Sequence, residues 1–305
     1  MMAATEQPLL RGELRLDEPL RRYNTWRVGG AARQMYLPAD AEDLALFLAG
    51  LPPQEPLLWL GLGSNLLIRD GGFRGTVILL LGRLNDLRIE GEEVRAEAGV
   101  ACAKVARECA RANLTGAAFL AGIPGTMGGA LAMNAGAFGG ETWPIVSAVT
   151  TIDRGGRMRQ REPAEFEVAY RQVVRPAEEW FLACTLRLRR GDGSAEQAAI
   201  RELLDRRAAT QPTGQPSCGS TFRNPRGDHA DRAGCDEVAR TYAHARALHG
   251  GVGQAHRQQR LDLSAQRTCG VLDVLKGGVV GDAQTVVEVT GKPRTRKALV
   301  DLLPG

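Results

Sequence analysis

The sequence contains few of the features that assign a chain to a membrane or nucleic-acid class. Its 305 residues include no stretch approaching about 18 consecutive apolar residues, so a transmembrane helix is not expected. There is no basic run of five or more residues, and the net charge of +4 is weak support for nucleic acid as a partner. A modest positive excess suits anionic small molecules. We therefore expect a soluble protein that binds neither nucleic acid nor a membrane.

The cysteines and histidines form no recognisable motif. The six cysteines lie far apart and never form a Cys-x-x-Cys pair, and no signal peptide is evident: Cys102, Cys109, Cys184, Cys218, Cys235 and Cys269. They are interpreted as free thiols in a reducing cytoplasm. The four histidines, His229, His244, His249 and His256, show no metal-ligand spacing, so no metal is predicted.

Glycine is in excess, at 37 of 305 residues, or about 12% against an average of about 7%. Two clusters stand out. The first loop, Gly61–Gly75, begins Gly-Leu-Gly-Ser-Asn-Leu, and the second, Gly122–Ala137, begins Gly-Ile-Pro-Gly-Thr-Met-Gly-Gly. Small residues leave backbone N–H groups bare, as a bound pyrophosphate requires. For the first loop taken alone, a tight turn without a ligand is the alternative.

Neither loop has a common nucleotide-binding sequence. No Gly-Lys-Ser/Thr follows either loop, so a Walker A loop is not predicted. Gly61-Leu62-Gly63 is followed by Leu66 where the Rossmann pattern needs a third glycine. Both standard nucleotide folds are therefore disfavoured.

The apolar pattern predicts alternating strands and helices, and so a mixed α/β or α+β fold. Strands are predicted over 34–37, 57–60, 76–81, 145–152 and 180–189, with a hairpin turn at 153–156 leading into 157–160. Helices are predicted over 40–49, 100–113 and 194–210. Residues 1–20 show no clear pattern and are expected to form a loose arm, and a domain boundary is expected near 190–215.

Four blocks, in this order, closely resemble the UDP-N-acetylenolpyruvoylglucosamine reductase family: Asn24–Gly30, Gly61–Gly75, Gly122–Ala137 and the Cys-Gly-Ser-Thr-Phe-Arg-Asn-Pro segment ending at Pro225. The resemblance implies an α+β flavoenzyme of peptidoglycan precursor synthesis. It implies a two-lobed FAD-binding domain of the vanillyl-alcohol-oxidase (PCMH) type and a third, C-terminal lobe that closes over a UDP-sugar. The corresponding division is an arm at 1–20, lobes at 21–85 and 86–190, and a substrate-binding domain at 191–305.

The resemblance also implies which residues surround a non-covalent FAD, with the glycine loops about its pyrophosphate and facing its isoalloxazine ring. The expected cofactor-binding residues are Asn24, Thr25, Gly61, Gly63, Ser64, Asn65, Leu66, Gly122, Pro124, Gly125, Thr126, Gly128, Gly129, Asn134 and Gly136. NADPH as the hydride donor is implied by the family alone.

Four candidate residues for substrate chemistry follow from the same resemblance. Reducing an enolpyruvyl double bond needs a hydride on one carbon and a proton on the other, and Ser220 is the candidate proton donor. Tyr170 and Arg171 match a Tyr-Arg pair whose guanidinium binds the substrate carboxylate and stabilises the enolate. Asn224 matches a substrate-contacting asparagine. Read from the residues alone, Ser220 could be a turn residue and Arg171 a surface arginine.

The resemblance weakens after Pro225. Residues 226–270 are rich in Arg, Gln, His and Ala, which suggests either divergence or a disturbed reading frame. The family has a catalytic glutamate near its C-terminus, and Glu288 is the nearest candidate, with an exposed strand carboxylate as the alternative. The separation of Arg171 and Ser220 resembles the subclass without an extra substrate-covering loop.

The sequence as a whole predicts an NADPH-dependent flavoenzyme that converts UDP-N-acetylenolpyruvoylglucosamine to UDP-N-acetylmuramate in two half-reactions. Two alternatives stay open: an oxidase of the same FAD superfamily with another substrate, and a flavin-binding protein without turnover. The sequence does not indicate an oligomeric state.

Overall fold

A computed structural model describes residues 9–211 and residue 216 of the chain. The strands in this part are β1 (Glu13–Pro19), β2 (Ala31–Leu37), β3 (Leu57–Leu60), β4 (Phe73–Leu79), β5 (Leu87–Glu90), β6 (Glu93–Glu97), β7 (Leu114–Thr115), β8 (Gly136–Ala137), β9 (Gly140–Glu141), β10 (Val146–Asp153), β11 (Met158–Arg161), β12 (Glu167–Ala169), β13 (Gln172–Val174), β14 (Glu179–Arg187) and β15 (Arg189–Arg190). The helices are α1 (Ala41–Ala49), α2 (Cys102–Arg111), α3 (Met127–Ala132) and α4 (Gly193–Thr210). The predicted α+β class is confirmed.

The first lobe is a four-stranded sheet in the order β1-β2-β4-β3, with α1 packed against it. Strands β2 and β3 run parallel to β4, whereas β1 is antiparallel to β2. Helix α1 begins where the Asp40 side chain accepts a hydrogen bond from the Asp43 N–H, as an N-cap residue does. The helix predicted over 40–49 and the strand predicted over 57–60 are confirmed.

The expectation of a loose arm over residues 1–20 is wrong for residues 13–19. These residues form the edge strand β1, which pairs with β2 from Glu13 opposite Leu37 to Pro19 opposite Ala31. The side chains of Leu14 and Leu16 are exposed, so the strand is held to the sheet by its backbone hydrogen bonds and not by burial of these side chains. Such a strand leaves little hydrophobic signal in a sequence.

The second lobe is an antiparallel five-stranded sheet in the order β11-β10-β14-β6-β5. Helix α2 buries one apolar side made of Cys102, Val105, Ala106, Cys109 and Ala110, which matches the predicted helix. The hairpin predicted after residue 152 is also present, as β10 and β11. At roughly 25 cal/mol per Å² of buried apolar surface, this large core is the main favourable contribution to folding.

The two lobes share a further apolar cluster. It contains Tyr36 and Ile78 from the first sheet together with Ile152 and Leu182 from the second. Beside it, the rings of Trp59 and Trp180 stack with centroids 5.1 Å apart. This contact brings the loop that follows β3 and the loop that precedes α3 to the same edge of the molecule.

Helix α4 is attached to the second lobe. Its N-cap is Asp192, and one carboxylate oxygen of Glu196 accepts hydrogen bonds from three consecutive backbone N–H groups, those of residues 116–118. The helix begins at Gly193, within the region 190–215 where a domain boundary is predicted, and it packs on α2 of the second lobe. The division into an FAD-binding and a substrate-binding domain near residue 190 stays a prediction. Within residues 9–211, the structure contains no helix that is both long and apolar enough to cross a membrane.

Candidate active site

The segment before the first glycine loop is fixed by Asn24. Its side chain is buried, and Nδ2 donates to the carbonyl oxygens of Leu20 at 2.7 Å and Val28 at 2.8 Å. The next residue, Thr25, donates its backbone N–H to the carbonyl of Gly63 at 3.1 Å. The predicted cofactor residues Asn24 and Thr25 therefore lie against the first loop, with Asn24 holding the protein backbone.

Two glycines of the first loop lie where a side chain does not fit. Gly63 has φ +66°, and a Cβ atom there would lie 2.1 Å from the carbonyl oxygen of Tyr23. A Cβ on Gly61 would lie 2.3 Å from Oγ1 of Thr126, which belongs to the second loop. Gly61 therefore allows the two loops to approach each other.

Further contacts join the two loops. The Asn65 side chain donates to the sulfur of Met133 at 3.5 Å, and a Cβ on Gly125 would lie 3.7 Å from Oγ of Ser64. Among the described residues, the backbone N–H groups of residues 62–64 have no hydrogen-bond acceptor. Unpaired N–H groups on a glycine loop suit the oxygens of a pyrophosphate, so this loop fits the FAD that the resemblance implies.

The second loop is held from behind by the segment that precedes α2. The N–H groups of Met127 and Gly128 donate to the carbonyls of Val100 at 2.8 Å and Ala98 at 2.9 Å. A Cβ on Gly128 would lie 2.9 Å from Cβ of Ala98. Gly128 is thus explained by close packing inside the protein.

The other predicted residues of the second loop divide into two groups. Added Cβ atoms at Gly122 and Gly136 would collide with the ring of Phe138 and the carbonyl of Gly140, so both glycines are needed for packing. The exposed residues are Pro124 and Gly129. In the first loop, Leu66 is buried in the core of the first lobe.

Asn134 is buried and fully engaged within the protein. Its Nδ2 donates to Oε2 of Glu141 at 2.8 Å and to the carbonyl of Ala169 at 3.2 Å, and its Oδ1 accepts from the Trp143 N–H at 3.2 Å. The resemblance implies a cofactor contact here, whereas these bonds give the side chain a role in the protein framework. No sequence motif singled out Glu141, because its importance depends on a contact across seven residues.

Tyr170 and Arg171 form the tip of the short hairpin β12–β13. Arg171 adopts φ +55°, a conformation that costs a non-glycine residue roughly 1–2 kcal/mol. Its Nη2 donates to the carbonyl of Gly136 at 3.1 Å, and its guanidinium carbon lies 5.8 Å from the centre of the Tyr170 ring. The structure therefore brings Tyr170 and Arg171 to the end of the second glycine loop.

An open cleft of about 710 Å³ adjoins this hairpin. Its lining includes Asn134, Glu141, Trp143, Phe166 and Tyr170, so aromatic rings and a carboxylate face the same space. Clefts of a few hundred to about 1,000 Å³ are typical of small-molecule sites.

The remaining site predictions lie outside the described residues. These are Ser220, Asn224 and Glu288. The described part of the chain contains no group of three or more His, Cys, Asp or Glu residues able to hold a metal ion. In the same part, burial raises the pKa of Cys102, Cys109 and Cys184 to about 12, so these thiols stay protonated at neutral pH and are not nucleophiles.

Comparison with known proteins identifies the class first. Residues 32–160 match the family model described as FAD binding domain. This match and the paired glycine loops define a flavin-binding fold. The two-lobed structure is also similar to the crystal structure of UDP-N-acetylenolpyruvylglucosamine reductase from Thermus caldophilus, with a TM-score of 0.64 and 30% identity over 75% of this chain and 80% of that one.

Curated relatives specify the family. UDP-N-acetylenolpyruvoylglucosamine reductase of Alkalilimnicola ehrlichii is 51% identical, over 93% of this chain and 100% of that protein. The protein of the same name from Methylococcus capsulatus is 59% identical over 73% of each chain. The chain belongs to the UDP-N-acetylenolpyruvoylglucosamine reductase family.

Proposed function

We propose that this protein reduces UDP-N-acetylenolpyruvoylglucosamine to UDP-N-acetylmuramate, with FAD as the bound cofactor and NADPH as the hydride donor, in peptidoglycan precursor synthesis. The observation that carries this proposal is the 51% identity to a reductase of that name across 93% of this chain. The meeting of the two glycine loops beside Arg171 gives the same conclusion a physical basis.

The residues present fit the cofactor. The N–H groups of residues 62–64, with Thr25, Asn65 and Thr126 around them, would hold the pyrophosphate of FAD. When bound, FAD supplies the capacity to accept a hydride from one substrate and deliver it to another. The exposed Pro124 and Gly129 leave the second loop accessible to the same ligand.

Arg171 is suited to bind the substrate carboxylate. A guanidinium has five N–H donors, and among the described residues one of them is used, by the carbonyl of Gly136. The remaining donors can hold a carboxylate in a fixed fork and stabilise the negative charge that develops when the double bond is reduced. The adjacent Tyr170 is half exposed and lines the cleft.

The C-terminal part, from residue 191, is proposed to complete the substrate site. The family motif assigns proton donation to Ser220 and a substrate contact to Asn224, and Glu288 is proposed as the carboxylate that assists protonation. The interpretation of residues 226–270 as divergent or frame-disturbed stays a prediction. Resequencing the gene tests the recorded sequence, since an unchanged reading excludes a sequencing error.

The first test is the visible absorption spectrum of the purified protein. We expect flavin bands that bleach with NADPH under anaerobic conditions and return when the enolpyruvyl substrate is added. Bands that do not return with the substrate would indicate a flavoprotein without this turnover, and no bands even after added FAD would contradict flavin binding.

The second test is Ser220→Ala. Bleaching by NADPH should be unchanged, because that step needs no proton donor for the sugar, whereas the return of the bands with substrate should slow by about 100-fold, typical of losing general acid catalysis. Ser217→Ala, three residues earlier in the same segment, is the matched control. Normal turnover by Ser220→Ala would refute the assignment.

We also propose that the protein works in the cytoplasm. The buried, unpaired thiols Cys102, Cys109 and Cys184 support a reducing compartment.

A further inference from the structure

The hairpin that carries Arg171 has little support of its own. Its strands β12 and β13 have three residues each, and residues 167–170 are exposed. A two-stranded hairpin is marginally stable in water at best. Apart from the burial of Val173 in the core, its position depends on contacts with its neighbours.

One of these contacts is made just before the tip. Nδ2 of Asn134 donates to the carbonyl of Ala169, two residues from Arg171. The same Nδ2 donates to Oε2 of Glu141 at 2.8 Å. A carboxylate accepts hydrogen bonds and cannot donate them, so Glu141 requires the NH₂ end of the amide to face it. The Trp143 N–H, which donates to Oδ1 of Asn134, favours the same orientation, and in that orientation Nδ2 also reaches the carbonyl of Ala169.

The second contact reaches the guanidinium itself. Nη2 of Arg171 donates to the carbonyl of Gly136, and Gly136 lies opposite Glu141 in the β8–β9 pair. Glu141 therefore connects to Arg171 in two ways: through the Asn134 amide to the hairpin backbone, and through the β8–β9 pair to the side chain. A Cβ on Gly136 would lie 3.1 Å from Cγ of Glu141, which shows how closely the carboxylate side chain packs on this strand.

We propose that Glu141 is a positioning residue for Arg171. By accepting from Asn134 it fixes the hairpin so that the guanidinium faces the substrate carboxylate. This inference rests on the proposed function in assigning that carboxylate to Arg171. The half-buried Glu141 contacts Asn134, and the Arg171 guanidinium contacts the carbonyl of Gly136; among the described residues no ion pair joins Glu141 to Arg171.

The test compares Glu141→Ala with Glu141→Gln. A glutamine retains a side-chain oxygen that can accept from Asn134, whereas alanine removes the acceptor. We expect Glu141→Ala to slow the substrate-dependent return of the flavin bands by about tenfold or more, the factor that loss of one charge-assisted hydrogen bond corresponds to. Bleaching by NADPH should change by less than about twofold, and Glu141→Gln should restore most of the rate.

Coupling to Arg171 separates positioning from a general loss of stability. In an Arg171→Ala background, Glu141→Ala should change the rate by less than about twofold, because the group it positions is gone. Glu167→Ala, an exposed carboxylate on the same hairpin, is the matched control and should match the parent protein. An effect of Glu141→Ala that is equally large in the Arg171→Ala background would overturn the proposal.

Hydrogen exchange supplies a measurement that does not depend on turnover. Amide protons of residues 167–174 should exchange about tenfold faster in Glu141→Ala and close to the parent rate in Glu141→Gln. Unchanged exchange in Glu141→Ala would refute the positioning role even if the protein fails to reduce the proposed substrate. Faster exchange in a protein without that activity would refute the proposed function and leave Glu141 as the residue that fixes Arg171.

Discussion

The first glycine loop and the Arg171 hairpin are held in place by different means. The loop is fixed by close backbone approach: a Cβ on Gly63 or Gly72 would lie 2.1 Å or 1.9 Å from a carbonyl oxygen of a neighbouring segment. The hairpin is fixed by side chains, with Asn134 on its backbone and the carbonyl of Gly136 on its arginine. Gly63 and Gly72 therefore cannot be replaced by larger residues without moving the loop, whereas the hairpin can be adjusted by substituting single hydrogen-bonding groups.

The difference agrees with what each region is proposed to bind. A pyrophosphate needs several backbone N–H groups at fixed positions, and a backbone packed without space for a Cβ provides them before the ligand arrives. A substrate carboxylate is bound by one guanidinium, whose direction depends on the groups around it.

Gly63→Ala should have the largest effect. The new Cβ would approach the Tyr23 carbonyl to 2.1 Å in a residue with φ +66°, so either the loop moves or the protein unfolds. We expect a loss of at least about 2 kcal/mol in the free energy of unfolding, measured with urea, and loss of flavin binding.

Gly82→Ala separates the strain of a positive φ from the collision of the new Cβ with a neighbouring segment. Gly82 has a similar φ of +72°, but nothing lies within 4 Å of a Cβ placed there. This control should cost about 1 kcal/mol from backbone strain alone and retain flavin. Equal losses for the two variants would show that close approach does not fix the loop.

Asn134→Ala should have an intermediate effect. It removes the acceptor of the Trp143 N–H and the donor to Glu141 and Ala169, leaving buried polar groups without partners. The expected loss is about 1–3 kcal/mol in the free energy of unfolding. Asn113→Ala is the control. Asn113 also has a positive φ, +57° against +38° for Asn134, but its side chain is exposed. A loss no greater than that of the control would mean that the amide does not hold the hairpin.

The sequence predicts these two regions to different extents. Helix α2 and strand β3 follow from their apolar patterns, and the glycine loops follow from composition and order along the chain. The contact between Glu141 and Asn134 does not follow from the sequence. Glu141 lies outside the four blocks that resemble the family, and Asn134 is predicted to contact the cofactor. The sequence does not predict strand β1 for a related reason: the exposed Leu14 and Leu16 give no burial pattern, and backbone pairing to β2 has no residue signature.

Acid should weaken the contacts at the base of the hairpin. Arg161 precedes the hairpin and holds Glu179, which follows it, through bonds of 2.6 Å and 2.9 Å; Arg159 and Thr151 also contact this carboxylate. The Arg161 hydrogen bond is the main cause that holds the pKa of Glu179 below its usual 4.5. Stability from this group is therefore complete above about pH 4.5 and is lost as the pH falls through the lowered value.

Glu179→Gln tests this expectation and should have the smallest effect, visible mainly in how stability depends on pH. The variant should be less stable than the parent at pH 7, and the difference should narrow below about pH 4.5, because protonation removes the same charge from the parent. Urea unfolding at several pH values measures the difference, with Glu167→Gln as a control whose curve runs parallel to the parent's. A difference between Glu179→Gln and the parent that stays constant from pH 7 to pH 3 would show that the Arg161 contact does not stabilise the hairpin through charge.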